Sequence, residues 1–565
     1  KRYRASVVVC HQECLLGVKL RDPVSGDVRV YLPGGGIEPG ERPAATARRE
    51  CLEETGFRVH VAPATPRNHK VLRYPFLWGG KVYDCTTEFF TGTLIRPGAL
   101  PVAVSDDSSL NLGPVWVPFT EVRQTFGYHQ SILDVILSLM DPCIKPPEKS
   151  VLCAFSAFKG TLTAAEACSV AARIARDSGW QATELPLADG GRGSLDLWLN
   201  GLRNAGSSWR VLDVQTVDPL GRPAVARIGM ADAQDGHPEI FVESAECLGL
   251  HLIGQPNPAT AIAASSRGLG ILLRDLSRRF PQGTTVRVAL GDSAVSDCGL
   301  GMLQALGFKI LIRNKDQIEA IEEAAFNATL LADIAGIEPP SGESEAGRDL
   351  RALRSFKWTV LCDVAHPLCG QGGAARVFAP QKGALPLQVQ ALEAGFKKVA
   401  RIFDGFGGRV RWAEAKHGGS SGGVAAAMGA ALGASLVSGS GWLLDDSGFD
   451  GLLATHRLVM TGEGASDEQS CGPAGDVPGT GKAAFVCVSR SLAAGIRTEL
   501  VSGQVRLDKW PAWVREFLAG ATACGRDPDA PSALRTAVAA RIASRPGGES
   551  MGVKRQSRKK PGSRA

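Results

Sequence analysis

The 565-residue sequence lacks any long Leu- and Ile-rich run of the kind that crosses a membrane. Residues 418–444 carry no charge, but they are Gly, Ala and Ser rather than bulky apolar residues, so they read as protein interior. No signal-peptide pattern is present, and no internal repeat is visible. The 14 cysteines form no paired framework. Most, such as Cys153, Cys247 and Cys487, sit singly in apolar stretches. Cys10 and Cys14 are four apart, with no second pair at zinc-like spacing. These absences speak against a membrane protein, a disulfide scaffold and a structural zinc site, and the expectation is a cytoplasmic protein with reduced thiols.

A large charge excess is also missing from the body of the chain. The formal net charge is +6, and six uncompensated cations lie within residues 554–565. That basic end, 546–565, is expected to be disordered, and it is the one place where contact with nucleic acid is expected, if any. With 44% hydrophobic and 21% charged residues the composition is that of a globular protein. The length calls for more than one domain.

What is present begins with residues 34–57, GGGIEPGERPAATARRECLEETGF. A glycine turn runs into good helix formers. Pro43 stands where a first helical turn tolerates it, and Gly56 where a helix commonly ends. At about 100° per residue, Glu50, Glu53 and Glu54 share one face of that helix. Three carboxylates so crowded repel one another and call for a cation between them. Hard oxygen ligands suit Mg2+ or Mn2+.

The full spacing, G-x5-E-x7-R-E-x-L-E-E-T-G-F counted from Gly35, resembles the Nudix box. Only Cys51 departs, standing for a bulkier apolar residue. The resemblance implies Mg2+-dependent cleavage of a nucleoside diphosphate linked to another moiety. It implies Glu50, Glu53 and Glu54 as metal ligands, Glu53 and Glu54 as catalytic, Gly35 and Gly36 in the binding turn, and Arg49 orienting the helix by pairing with Glu41. A further base is expected among Asp84, Glu88 and Asp106. Tyr74, Phe76 and Trp78, within 67–80, are either core residues or a stacking surface for a base.

Around the box, strands are expected at 5–10, 14–20, 27–32, 59–61, 70–74, 81–94 and 112–117, with a closing helix at 130–139. That order makes residues 1–140 a mixed-sheet α/β/α sandwich. Residues 141–150, DPCIKPPEKS, read as a semi-rigid linker.

From residue 151 to about 545, strand, loop and helix units alternate, as in a two-lobed α/β domain. Thr163 and Glu166 form a capping-box signature for a helix at 163–178. The acidic stretch 338–347 reads as a surface loop. Glycine loops at 291–294 and 417–423 each lead into an apolar helix and are candidate anion seats. The segment VPGTGKA at 477–483 is not a P-loop, because Asp476 stands where the glycine should be and Ala483 where Ser or Thr should be.

Seven ordered segments resemble the bacterial-type glycerate kinase family: SAFKGTLTAAEA, PLADGGRGS, SSRGLG, GDSAVSDCGLGMLQALG, CDVAHPLCGQGGAARVFAPQKGA, HGGSSGGVAAAMGAAL and TGEGASDEQS. The resemblance implies phosphorylation of D-glycerate by ATP. It implies Lys159, Asp297 and Asp467 as catalytic, and Asp189, Gly291, Ser293, Asp363, Gln381, Lys382, Gly422 and Glu463 as ligand-binding.

Several polar positions depart from the family pattern. An acid and a hydroxyl are replaced by Ser156 and Ala157, an acid by Arg192, an Asn by His366, an Arg by Ala465 and a Lys by Asp476. Asp292, Val295, Ser296 and Cys298 replace four residues of one glycine loop. Two alternatives to a bifunctional enzyme follow: a Nudix hydrolase carrying a degenerate, ligand-binding kinase module, and a non-enzymatic nucleotide sensor whose tail contacts nucleic acid.

Overall fold

A computed structural model describes residues 2–543 apart from 62–63, 66–67, 96–109, 145–146, 159, 205–206, 233–236, 316, 322–326, 454, 472–480, 495, 509 and 525–529. Lys159, Asp106, Asp476 and the basic tail therefore lie outside the described residues.

The first 144 residues build one mixed sheet between helices. Its first strands are β1 (Arg2–His11), β2 (Cys14–Arg21) and β3 (Val28–Tyr31), followed by the short β4 (Gly34–Gly36). Helix α1 (Pro43–Thr55) comes next, then β5 (Val59–Val61), β6 (His69–Trp78), β7 (Lys81–Leu94) and β8 (Asn111–Pro118). The order is β3-β2-β1-β7-β5, with β4 on β1, β6 on β7 and β8 on β2. β1 and β7 run parallel, and the other pairs antiparallel. Alternation along β1 sets the layers. Ala5, Val7 and Val9 pack with Ala47 and Cys51 of α1. Val8, on the opposite face, packs with Ile132, Leu133, Ile136 and Leu139. Those residues belong to the closing helix, which runs from Gln130 to Ile144 and so extends beyond the expected end into the segment read as linker.

The second part has two lobes. One is an all-parallel five-stranded sheet that combines Gln181–Glu184 and Ser150–Phe155 with Leu458–Gly462, Arg497–Ser502 and Gly520–Ala523. The chain leaves this lobe and returns to it. The excursion builds a six-stranded sheet: Trp209–Val217, Pro223–Ala231, Glu239–Glu243, Thr285–Ala289, Lys357–Cys362 and Ser435–Ser438. The last four of these are parallel. The buried character of the first three of these four is what a sheet covered on both faces requires. The expected capping box is present: Thr163 N donates to Glu166 Oε2 at 2.8 Å and Thr163 Oγ1 accepts from Glu166 N at 3.2 Å. Residues 338–347 are less irregular than expected, since a strand ends at Glu338 and a helix capped by Ser344 starts at Glu345.

The two parts meet where Gly448 and Gly451 approach the end of β7. Gly448 has φ +71°, and a β-carbon there would lie 2.6 Å from the Leu94 carbonyl oxygen.

Candidate active sites

Helix α1 starts at Pro43 and stops at Gly56, whose φ of 72° only glycine adopts readily. Thr46, Ala47, Cys51 and Thr55 form its buried stripe. Cys51 is fully buried, as a residue facing the sheet must be. That stripe turns Arg49, Glu50, Glu53 and Glu54 towards the glycine turn of β4.

The cation between the carboxylates is Arg49. Its Nη1 donates to Glu50 Oε1 at 2.9 Å and to Glu53 Oε2 at 2.8 Å. Nε and Nη2 donate to Glu41 at 3.1 and 3.0 Å, and Nη2 also to the Gly36 carbonyl at 3.2 Å. The expected Glu41 pair is therefore present, and the guanidinium reaches further than orientation of the helix requires. Glu41, then Glu50 and Glu53, hold the Arg49 proton more tightly than usual. Burial raises Glu50 above the ordinary carboxylate range, with Arg49 opposing.

Glu54 is turned to the other side, where Oε2 accepts from Gly34 N at 2.9 Å. Among the described residues no group of three His, Cys, Asp or Glu side chains stands together to hold an ion. The expected three-carboxylate cluster is thus divided, two acids on Arg49 and one on the turn. The donor chemistry still fits a hard divalent ion. Two carboxylate oxygens converge on one cationic nitrogen, and the Glu50 carboxylate packs so closely on Gly35 that a β-carbon there would fall on it.

Register places the candidate bases. Ala5 of β1 pairs with Gly35 on one side and with Glu88 of β7 on the other. Cross-strand neighbours share a face, so Glu88 lies on the α1 side, two strands from Gly35. His69 Nε2 lies 2.8 Å from Glu88 Oε2. Asp84 is engaged in a double hydrogen bond with Arg73, at 2.9 and 2.8 Å.

Beside the turn lies a cavity of about 240 Å3 that Glu54, Gly34 and Gly35 share with Arg2, Arg4 and an aromatic wall. Tyr74, Phe76 and Trp78 all line it, joined by Tyr31 and Tyr128. Tyr31 meets Phe76, Trp78 and Tyr128 edge to face, with centroids 5.5–6.0 Å apart. Sequence reasoning missed Arg2, Arg4, Tyr31 and Tyr128, whose separation along the chain hides their convergence.

In the second part, the candidate residues gather at the carboxyl ends of parallel strands, where α/β sheets bind ligands. Gly291 follows Thr285–Ala289, Asp363 follows Lys357–Cys362, and Glu463 follows Leu458–Gly462. Gly291 N donates to the Gly190 carbonyl at 2.8 Å, and a β-carbon on Gly291 would lie 2.5 Å from Gly191 Cα. This glycine-on-glycine approach brings Asp189, Asp292 and Asp363 within electrostatic reach of each other. Burial, then Asp189 and Asp292, push Asp363 up to about 7, while Lys382 opposes. Lys382 is buried, donates from Nζ to the Val295 carbonyl at 2.5 Å, and is pushed by burial down to about 8. Glu463 is pushed up to about 7, chiefly by burial and with Asp189 and Asp467 adding; Lys482 opposes. Asp189 therefore acts on acids of both lobes and stands between them.

Residues 1–135 match the NUDIX domain. Residues 151–540 match the Glycerate kinase family. The chain belongs to the glycerate kinase family. An uncharacterized protein of Synechocystis sp. is 34% identical over 59% of this chain and 81% of its own length. The glycerate kinase of Bacillus subtilis is 30% identical over 57% and 78%. Among solved structures, the putative glycerate kinase 2 from Salmonella typhimurium LT2 aligns with a TM-score of 0.51 at 25% identity, over 70% of this chain and 98% of that one. The chain thus joins a Nudix domain to a glycerate-kinase-like domain. Among the described residues, no helix is long and apolar enough to cross a membrane.

Within the glycerate kinase domain the remaining expected residues separate by role. Asp297, expected to be catalytic, is fully buried. Its Oδ2 accepts from Ser266 N (2.7 Å), Ser266 Oγ (2.8 Å) and Gly301 N (3.2 Å), and Oδ1 from Gly299 N (3.1 Å). These bonds fix the loop ahead of Leu300–Ala305. That helix begins six residues after Ala294, and the 291–294 turn does not lead straight into it as expected. Asp467 N donates to Ser470 Oγ at 3.2 Å, and its Oδ1 accepts from Gln469 N at 3.0 Å, tying the start of the short helix Glu468–Cys471. Ser293 is buried in a bridge to Gly249, and Gln381 is exposed while its neighbour Lys382 turns inward. Gly422 has φ +60°, and its carbonyl accepts from Cys298 N at 3.0 Å, so the 417–423 loop docks on the 295–298 segment.

Asp292 takes a left-handed backbone, φ +57°, where the family pattern has glycine. Its Oδ2 accepts from Arg192 N at 3.3 Å, so two departures from the pattern are in contact. Sequence reasoning missed Glu243. It is buried and accepts from Gly193 N and Leu195 N, both at 3.0 Å, at the start of the helix Ser194–Asn204. Its one signal was an acid closing the apolar strand EIFVE.

Proposed function

We propose that the first domain hydrolyses a nucleoside diphosphate linked to another moiety, and that the second phosphorylates D-glycerate with ATP. The observation that carries the first half is the position of Glu54, which belongs to the box helix and also lines the aromatic cavity. A base lodged among Tyr31, Phe76 and Trp78 then has its phosphates beside Arg2, Arg4 and the carboxylates of α1. Glu50, Glu53 and Glu54 would hold Mg2+ or Mn2+, with Arg49 drawn back onto Glu41. The ion supplies charge neutralisation at the diphosphate. Glu88, held by His69 on the α1 face, takes the proton of the attacking water.

The test is Mg2+-dependent hydrolysis across a nucleotide panel by the full chain and by Glu53→Gln and Glu54→Gln. Folded but inactive variants support the reading. Full activity in both removes it.

For the second domain, Asp363, with its proton held to about neutral pH, is suited to accept the glycerate hydroxyl proton. Lys382 stands beside it to face a phosphate. ATP turnover stimulated by D-glycerate tests this. Asp292 favours a second reading, a module that binds ATP with weakened transfer. A negative charge in the glycine loop beside Asp363 opposes an incoming phosphate: two like charges at 4 Å cost roughly 4 kcal/mol at an effective dielectric of about 20. ATP binding without glycerate-stimulated turnover distinguishes this reading from the first. A nucleic-acid-contacting tail remains a further proposal, tested by salt-dependent DNA binding that deletion of 554–565 abolishes.

A further inference from the structure

Behind the box helix, a cavity of about 510 Å3 lies between the Nudix domain and the kinase domain. Residues of both domains line it. Ala45, Arg48 and Leu52 come from α1, Arg58 and His60 from the β5 segment, and the far wall includes Trp198, Gly201 and Leu443. Its volume is that of a pocket for a nucleotide-sized molecule, and domain interfaces are a usual place for such pockets.

The acids and the cations around it are engaged differently. Each acid on the wall already has a partner. Glu41 is held by Arg49, Glu184 by Arg176 at 2.9 Å, Glu239 by Arg287 at 2.9 Å, and Asp232 lies 3.9 Å from Arg210. Asp446 is also engaged. The cations are different. Arg48 feels the charge of Glu41, but its Nε is buried and has no hydrogen-bond partner, and neither Arg58 nor His60 takes part in an ion pair among the described residues. Burial, and then the nearby Arg48, hold His60 below its ordinary value. Two arginines and an imidazole facing a half-enclosed space are the donors a dianion needs. A phosphate monoester supplies about two negative charges and three acceptor oxygens.

We propose that this interdomain cavity is a binding site for an organic phosphate monoester of nucleotide size, its phosphate on Arg48, Arg58 and His60 and its body against the apolar wall of Leu52, Trp198 and Leu443. The site requires neither proposed activity. Because Arg49 and Glu41 also line the cavity, an occupant touches the residues that hold Glu50 and Glu53. It therefore bridges the kinase domain and the metal-ligand helix of the hydrolase.

The experiment is calorimetric titration of the full chain with AMP and, separately, with inorganic phosphate. Two variants of different kind are compared. Arg48→Ala with Arg58→Ala removes charge. Gly201→Leu fills space, because a β-carbon at Gly201 meets no atom within 4 Å and the position is helical. AMP is expected to bind the native chain more tightly than inorganic phosphate does. Affinity should fall roughly tenfold or more in each variant, as loss of charge-assisted hydrogen bonds or of the space itself demands. AMP affinity unchanged in either variant overturns the proposal, as does the absence of saturable AMP binding. Equal affinity for inorganic phosphate overturns the organic body. Should the double variant fail to fold, Gly201→Leu decides alone.

Discussion

The Glu50 carboxylate occupies the place a β-carbon on Gly35 would take, so any side chain at that position must push the carboxylate aside. The glycine is thus demanded by its neighbour's volume, since its φ is not in the left-handed region. Gly35→Ala should displace Glu50 and lower Mg2+-dependent hydrolysis by on the order of 100-fold, with little change in stability, because the end of a flexible side chain is what has to move. Hydrolysis assays beside thermal melts check this. Wild-type turnover in Gly35→Ala would show that Glu50 is not held where the chemistry needs it.

Arg49 opposes the burial that raises Glu50. Removing it in Arg49→Ala should therefore make Glu50 still harder to ionise. Because an ion-holding carboxylate must be ionised, the acid limb of the hydrolase pH profile should move to higher pH. The rate at the optimum should also fall by about tenfold or more as the box helix loses its tie to Glu41. A pH–rate profile that keeps its acid limb in place contradicts the role given to Arg49.

Much of this architecture was legible because local rules and burial agree. The strands 59–61 and 81–94 fall where alternation put them, and Pro43, Gly56, Thr163 and Glu166 mark helix ends by the chemistry of capping. Family motifs singled out Asp363 and Glu463, which the fold sets at strand ends. What sequence could not resolve is convergence in space. Nothing along the chain says that Arg49 bridges Glu50 and Glu53. Nor does it say that Asp297, retained in its motif, holds a loop with four accepted hydrogen bonds. Tyr31 and Tyr128 reach one cavity from strands and loops nearly a hundred residues apart, and Glu243 meets the start of a helix that precedes it in the chain.

Asp292 carries two penalties that one substitution removes. Its left-handed backbone costs about 1 kcal/mol relative to glycine, and its charge helps hold the Asp363 proton. Asp292→Gly should raise the melting temperature by a few degrees, lower the Asp363 pKa below about 7, and increase glycerate-stimulated ATP turnover. Adding Ser156→Asp, which restores the family acid, should increase turnover further. Thermal melts, a pH–rate profile and a coupled ATP assay read the three effects. A lower melting temperature with unchanged turnover would mean that the contact with Arg192 N matters more than strain or charge.

Glu243 gives a test that needs neither substrate. Burial pushes its carboxyl up to about 7, against the ordinary value of 4.5, although Gly193 N and Leu195 N both pull it down. In the unfolded chain the group loses its proton near 4.5, and in the folded chain only near 7. Between those values the folded state binds more protons than the unfolded state, so unfolding free energy falls as pH rises. The group's favourable contribution is complete below the unfolded value and is lost as pH passes through the folded one. Asp363 and Glu463, also pushed up to about 7, act in the same direction. Stability measured by denaturant titration should therefore decline from pH 5 to pH 8, by on the order of 3 kcal/mol for Glu243 alone. Glu243→Gln keeps an acceptor for the helix-start amides and removes the ionisation. It should flatten that slope without abolishing it, since the other two acids remain, and the variant should gain on the native chain most clearly above pH 7. A native slope that rises over this range, or a variant slope identical to the native one, would show that Glu243 is ionised in the folded protein at a cost its two amide donors already offset.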